Sequence, residues 1–222
     1  MIYDFHSHTY LSDGSLSALE LIRRAIVAGY RAIAITDHVG EGSMARVISE
    51  IQQDCSLARA HWDILAIPGV ELTHVPPAAI DGLAKKAKGL GASLVVVHGE
   101  TLSEPVMPGT NLAAAGSPFV DILAHPGVLS PEEAASAAKN GVFIEITTRK
   151  SHSRRNAEVA KAALKAGALT LVNSDTHEPE DLLNPELIAA TLRASGVHDN
   201  LIAETLEGNP AKLLERVRFP KK

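Results

Sequence analysis

Cysteine is nearly absent. Cys55 stands alone among 222 residues, which excludes an internal disulfide framework and fits a reducing compartment. It shares helical spacing with Ile48, Ile51 and Ala58, the pattern of a core residue rather than of a ligand or nucleophile. A basic excess is missing as well. With 21 lysines and arginines against 26 acidic residues, the formal charge is −5. The chain therefore has no global electrostatic footprint for wrapping nucleic acid, and a small soluble molecule is the expected partner. No apolar run is long enough to span a bilayer, and the N-terminus lacks the basic start and apolar stretch of a secretory signal. A cytoplasmic protein without a membrane partner is expected. No low-complexity linker divides the chain, so residues 1–222 are expected to form one domain. No Gly-X-Gly-X-X-Gly follows the first apolar segment, which leaves an open dinucleotide-binding sheet without support.

What the chain does contain is a repeated alternation. Residues 2–5, 32–36, 64–71, 93–97, 120–124, 142–147 and 169–172 read as short buried strands, separated by segments of helical periodicity. Ser17-Ala18-Leu19-Glu20 has the form of a capping box ahead of an apolar stripe at Leu19, Ile22 and Ile26, with Gly29 closing the helix. Ser130 and Pro131 open another helix and Asn140-Gly141 close it, while Asn184-Pro185 and Asn209-Pro210 open two of three short helical segments near the end. A long loop runs through Pro105, Pro108, Gly109 and Pro118, with a helical turn over 112–115. Seven apolar strands alternating with helices predict an α/β fold whose parallel sheet is buried on both faces, and such strands close into a barrel.

The polar residues fall at particular places in that pattern. His6 and His8, then His38, Glu71, His98, His125, and Asp175 with His177, each sit where a predicted strand stops. Only the sixth strand, ending at Thr147, delivers none. Side chains alternate along a strand, so His6 and His8 point to one side, with Asp13 a short turn later. Imidazoles converging with carboxylates suit zinc, manganese or iron. Singly, each residue has an ordinary reading: His6 and His8 as surface histidines near a terminus, His98 as a satisfied core histidine. Agreement at six strand ends favours a shared metal site, because the C-terminal strand ends of such a barrel meet in space.

These motifs resemble a known family. Asp4-Phe5-His6-Ser7-His8-Thr9 with Ser12-Asp13-Gly14, Ile35-Thr36-Asp37-His38, Pro68-Gly69-Val70-Glu71, His98, His125-Pro126 and Ser174-Asp175-Thr176-His177 are similar, in order and over essentially the whole chain, to the polymerase and histidinol phosphatase (PHP) family. The resemblance implies a distorted seven-stranded (β/α)7 TIM-like barrel with up to three divalent ions. His6, His8, Glu71 and Asp175 would hold one; Glu71 would bridge to a second held by His98 and His125; Asp13, His38 and His177 would hold the third. Asp37 is expected to support the ligands rather than join them.

Two cations sharing Glu71 can lower the pKa of water from about 15.7 towards 7 and furnish hydroxide at neutral pH. They also neutralise the charge on phosphoryl oxygens. The expected reaction is hydrolysis of a small phosphomonoester, histidinol-phosphate-like or other, with Glu71, Asp175 and His177 as catalytic residues. The basic cluster 149–155 follows the strand that lacks a ligand, so Arg149 and His152 are candidates for binding substrate. His74 is a third candidate, or else packs its loop; His61 and His198 are read as ordinary surface histidines. Two other readings stay open: a phosphodiesterase or 3'-5' exonuclease, and a catalytically silent, metal-stabilised interaction module.

Overall fold

In the computed structural model, which describes residues 1–217 and 219, the strands β1 (Ile2–Asp4), β2 (Tyr30–Ile35), β4 (Leu65–Leu72), β5 (Leu94–His98), β6 (Ile122–Ala124), β7 (Phe143–Thr147) and β8 (Thr170–Asn173) pair in that spatial order. Every pairing is parallel. A two-residue strand, β3 (His38–Val39), adds to β4 off this path. The ends of the sheet meet beyond β1 and β8, where Ser7 and Thr176 form a parallel bridge, His8 N donates to Thr176 O at 2.8 Å and Asp175 N donates to His6 O at 3.0 Å. Seven parallel strands thus form a nearly closed barrel, as the alternation of strands and helices predicts.

Strand parity divides the core in two. Ile33 and Ile35, Val95 and Val97, and Ile144 and Ile146 pack outward against helices such as α1 (Ala18–Val27) and α2 (Met44–His61), where Cys55 is also buried. The residues between them, Ala32 and Ala34, Leu94 and Val96, and Phe143, fill the barrel interior together with Phe5, Ile67, Ile122, Ala124 and Leu171. Leu213 of α9 (Asn209–Arg216) and Val217 join this inner cluster. Because both faces of the strands are buried almost throughout, with Arg31 of β2 the exposed exception, they read as continuous apolar runs rather than as alternating ones. Farther along the same inward parity stand Glu71, His98, Glu145 and Asn173, all buried. The lower barrel is apolar and the C-terminal end polar.

Local signals behave as expected, with some differences. Ser130 caps α5 (Pro131–Asn140) in a complete capping box, and Gly141 ends it at φ 70°. At α1 only half the expected box forms: Ser17 accepts from Glu20 N at 3.1 Å, but the Glu20 carboxylate is taken by Arg24 at 2.8 Å, a pair available one helical turn on. The helical turn in the long loop is a full helix, α4 (Thr110–Gly116). No helix among the described residues is long and apolar enough to cross a membrane.

Candidate metal centre

The first turn of the site is built by alternation. Past β1 the chain stays extended, so Ser7 faces away, donating through Oγ to Ala34 O at 2.6 Å, while His6 and His8 turn inward with their Nε2 atoms 3.0 Å apart. Asp37 accepts from Thr9 N at 2.7 Å, Thr9 Oγ1 at 2.8 Å and Ser12 Oγ at 2.7 Å, fastening the turn that carries Asp13. A side chain on Gly14 would collide with the His8 carbonyl, so the turn requires glycine there.

Glu71, at the end of β4, is the centre of the cluster. Its buried carboxylate lies 3.2 Å from His6 Nε2, 3.8 Å from His8 Nε2, 2.5 Å from His38 Nδ1 and 3.8 Å from His125 Nε2. Asp175 faces it, 3.1 Å from His8 Nε2 and 3.7 Å from both His6 Nε2 and His125 Nε2. Asp13 lies 3.5 Å from His38 Nε2 and 3.2 Å from His177 Nε2. Donor atoms converge in four overlapping groups: His6 with Glu71 and His125; His6 with His8 and Asp175; His8 with Asp13, His38 and His177; and His98 with His125 and His152. All nine residues expected as ligands are therefore brought together. His8 belongs to both the second and the third of these groups, so it stands between the ion expected at His6 and Asp175 and the one expected at Asp13, His38 and His177.

Among the described residues three non-glycine residues adopt positive φ: His74 at 52°, His125 at 24° and Asp175 at 54°. All three belong to this end of the barrel. Side chains rarely occupy that region, and such strain concentrates where a residue must be aimed.

Electrostatics are finely opposed. Burial works against charge on His6, yet the carboxylates of Glu145, Glu71 and Asp175 outweigh it and raise the imidazole well above its ordinary pKa. His38 likewise rises to about 9 against its burial, chiefly through Glu71. Burial and neighbouring imidazoles push His8 and His125 well below the ordinary value. Burial favours a neutral Glu71, but His6, His38 and His98 hold its carboxyl well below the usual range, whereas burial lifts Asp175 to about 7.

The sixth strand of the sequence pattern, β7, ends at Thr147 with no residue in the converging donor groups. It does supply a supporting carboxylate from within the strand: Glu145 Oε2 accepts from His6 Nδ1 at 2.7 Å and from Asn173 Nδ2 at 3.0 Å. This fixes which His6 nitrogen faces the cluster. A second carboxylate that no motif marks is Glu104, in the loop after β5, 3.3 Å from both His74 Nε2 and His98 Nε2 and 3.5 Å from His152 Nε2. The sequence held one usable signal: Glu145 shares strand parity with inward-facing Phe143.

A cavity of about 230 Å³ opens over the cluster, with Asp13, His38 and His177 on one side, His98, Glu104 and His152 on another, and Arg149 and His74 at its wall. Arg149 donates through Nη1 to the Asp175 carbonyl at 3.1 Å, and its Nε lies 3.5 Å from the Asp175 carboxylate. Lys150, Arg154 and Arg155 of the same basic run are exposed, as are His61 and His198. A larger cavity of about 580 Å³ lies at the opposite barrel end, where Lys88 is paired with Asp121 at 2.5 Å and no histidine is present.

Residues 4–104 match the PHP domain family. Over 98% of its length the chain is 46% identical to an uncharacterized protein of Methanocaldococcus jannaschii, all of which it covers. The chain belongs to the PHP family. It is also 26% identical over 212 residues to a probable phosphatase of Shewanella frigidimarina, matching 79% of this chain and 77% of that one. Its fold resembles the histidinol phosphate phosphatase of Lactococcus lactis, crystallised with zinc, L-histidinol and phosphate, at a TM-score of 0.63 and 13% identity, covering 89% of this chain and 94% of the other.

The PHP residues of this chain suit a multinuclear metal site. Imidazoles and carboxylates form a borderline donor set that favours zinc, iron or manganese. Among the described residues five buried side-chain polar atoms lack a hydrogen-bond partner, and four of them, His8 Nδ1, Glu71 Oε1, His125 Nδ1 and Glu145 Oε1, belong to this cluster. Buried polar groups are normally satisfied, so their concentration here marks atoms awaiting other partners.

Proposed function

We propose that this PHP-family chain hydrolyses a small phosphomonoester with up to three divalent ions bound among His6, His8, Asp13, His38, Glu71, His98, His125, Asp175 and His177. The observation that carries the reading is Glu71: one buried carboxylate within 4 Å of four imidazoles, below a cavity that Arg149 enters. Bound zinc, manganese or iron would supply Lewis acidity, lowering the pKa of water and offsetting phosphoryl charge. Glu71, Asp175 and His177 are assigned to catalysis. Glu71 compensates cationic charge at the floor, and Asp175 aims its second oxygen toward Arg149. His177 Nδ1 lies 2.8 Å from Arg149 Nη1 and 2.9 Å from the Asp175 carbonyl, which turns Nε2 toward Asp13 and the cavity.

Arg149 is assigned to the phosphate. Its guanidinium stays charged at any working pH and presents a fork that fits two oxygens. His74, 45% exposed, is placed at the rim, where the remainder of a substrate would pass. A small substrate is supported by the cavity volume of about 230 Å³, by the −5 net charge, and by the fold neighbour crystallised with histidinol and phosphate. A polynucleotide would call for a basic groove and steep salt dependence. Screening phosphomonoesters, dinucleotides and single-stranded DNA with added zinc, manganese or iron tests the proposal. Monoester hydrolysis should dominate; faster cleavage of single-stranded DNA under matched metal conditions would overturn it.

A further inference from the structure

His152 comes from the basic run after β7, yet it does not behave as a member of it. Lys150, Arg154 and Arg155 are exposed, and Arg155 pairs with Glu158 at 2.8 Å, whereas His152 is buried. Its ring stacks on that of His125 with centroids 4.4 Å apart and planes at 23°, and lies edge-on to His98 at 6.0 Å. Donor atoms of His98, His125 and His152 all lie within 4.8 Å of one another. His125 is 2% exposed, and its Nδ1 has no hydrogen-bond partner.

The other side of the His152 ring is already committed. Nδ1 lies 2.7 Å from Thr101 Oγ1 and 2.8 Å from Ser103 Oγ, both on the loop after β5. A proton on Nδ1 donated to these hydroxyls leaves the Nε2 lone pair free, and Nε2 points into the cluster, 3.5 Å from Glu104 Oε1 and 3.8 Å from Asp175 Oδ2. A histidine held through one nitrogen with the other turned toward converging donors is the arrangement that metal ligands adopt.

We propose that His152 is a ligand of the ion held by His98 and His125, so that this corner of the centre presents three imidazoles. The proposal rests on the reading that the cluster binds metal, and it moves His152 from the substrate, where the basic run had put it, to the metal. A third neutral imidazole adds donor strength without charge. It biases the corner toward zinc, iron or manganese and away from magnesium, which prefers oxygen, and leaves Arg149 as the cation for the phosphate. Thr101 and Ser103 become positioning residues, acting through His152.

The test is metal retention. Wild type, His152→Ala and the double variant Thr101→Val/Ser103→Ala, each loaded with zinc, are titrated with a competing chelator while bound metal is counted by elemental analysis. The double variant should release one ion at about 10–100-fold lower chelator concentration, the usual cost of removing a group that orients a ligand. His152→Ala should lose the same ion at lower concentration still, with the remaining ions retained. If the alanine variant does not fold, the double variant carries the test. Unchanged ion count and chelator resistance in the folded variants would overturn the proposal, and a raised KM with unchanged metal would return His152 to the substrate. A wild-type chain that binds no zinc, manganese or iron would instead sink the metal-dependent reading on which the proposal stands.

Discussion

Glu71→Gln removes one negative charge and almost no volume from the most enclosed point of the centre. The side chain is fully buried, with imidazole nitrogens at 3.2, 3.8, 2.5 and 3.8 Å. A cation gathered by those imidazoles would be close to the carboxylate, and at about 4 Å one pair of unit charges is worth about 4 kcal/mol at an effective dielectric near 20. At about 1.4 kcal/mol per decade, each unit of cation charge left without its counter-charge costs roughly a thousandfold in affinity. The variant should therefore emerge from metal-free gel filtration with at least one ion fewer than wild type, and turnover of a phosphomonoester should fall by several orders of magnitude. The fold should persist, because both apolar clusters are untouched. Circular dichroism establishes folding, elemental analysis the ion count and steady-state kinetics the turnover. A folded Glu71→Gln protein with wild-type ion content and wild-type turnover would refute the reasoning.

Glu145→Ala removes the acceptor that holds His6 Nδ1 at 2.7 Å and should weaken metal retention by about 10–100-fold, with partial recovery in Glu145→Gln, as a chelator titration reads. Arg149→Ala should lower kcat/KM for a phosphomonoester by about 10–100-fold, the worth of one charge-assisted contact, while ion content stays unchanged. Unaltered kinetics in that variant would leave the guanidinium with its contacts to Asp175 and His177 and no role at the phosphate. Leu213→Ala opens a cavity in the inner apolar cluster, which contains none of the proposed ligands, and should cost about 2–5 kcal/mol in denaturant unfolding without changing ion stoichiometry.

Much of the architecture is legible in the sequence because its determinants are local. The Ser130 cap and the Gly141 ending of α5 depend on residues a few positions apart, and so does the seven-fold alternation of apolar strands with helices. The convergence of His6, His8, His38, Glu71, His98, His125, Asp175 and His177 is legible for a similar reason. Parallel strands joined by right-handed crossovers bring their C-terminal ends to one face, so position at a strand end stands in for position in space.

What tertiary structure alone decided are the contacts that no spacing encodes. Glu145 lies 139 residues from His6 and in mid-strand, and only the closing of β7 and β8 against β1 shows that its inward parity delivers it to Nδ1. Glu104 and the Thr101 and Ser103 hydroxyls reach His98 and His152 from an irregular loop, where neither period 2 nor period 3.6 says which way a side chain turns. Within the basic run, five charged or titratable residues read alike in sequence, yet Arg149 and His152 face the cavity and Lys150, Arg154 and Arg155 face solvent. A one-residue change of direction in a loop costs little locally. Which residue turns inward is settled by the groups waiting there: the Asp175 carbonyl for Arg149, and the Thr101 and Ser103 hydroxyls together with the His125 ring for His152.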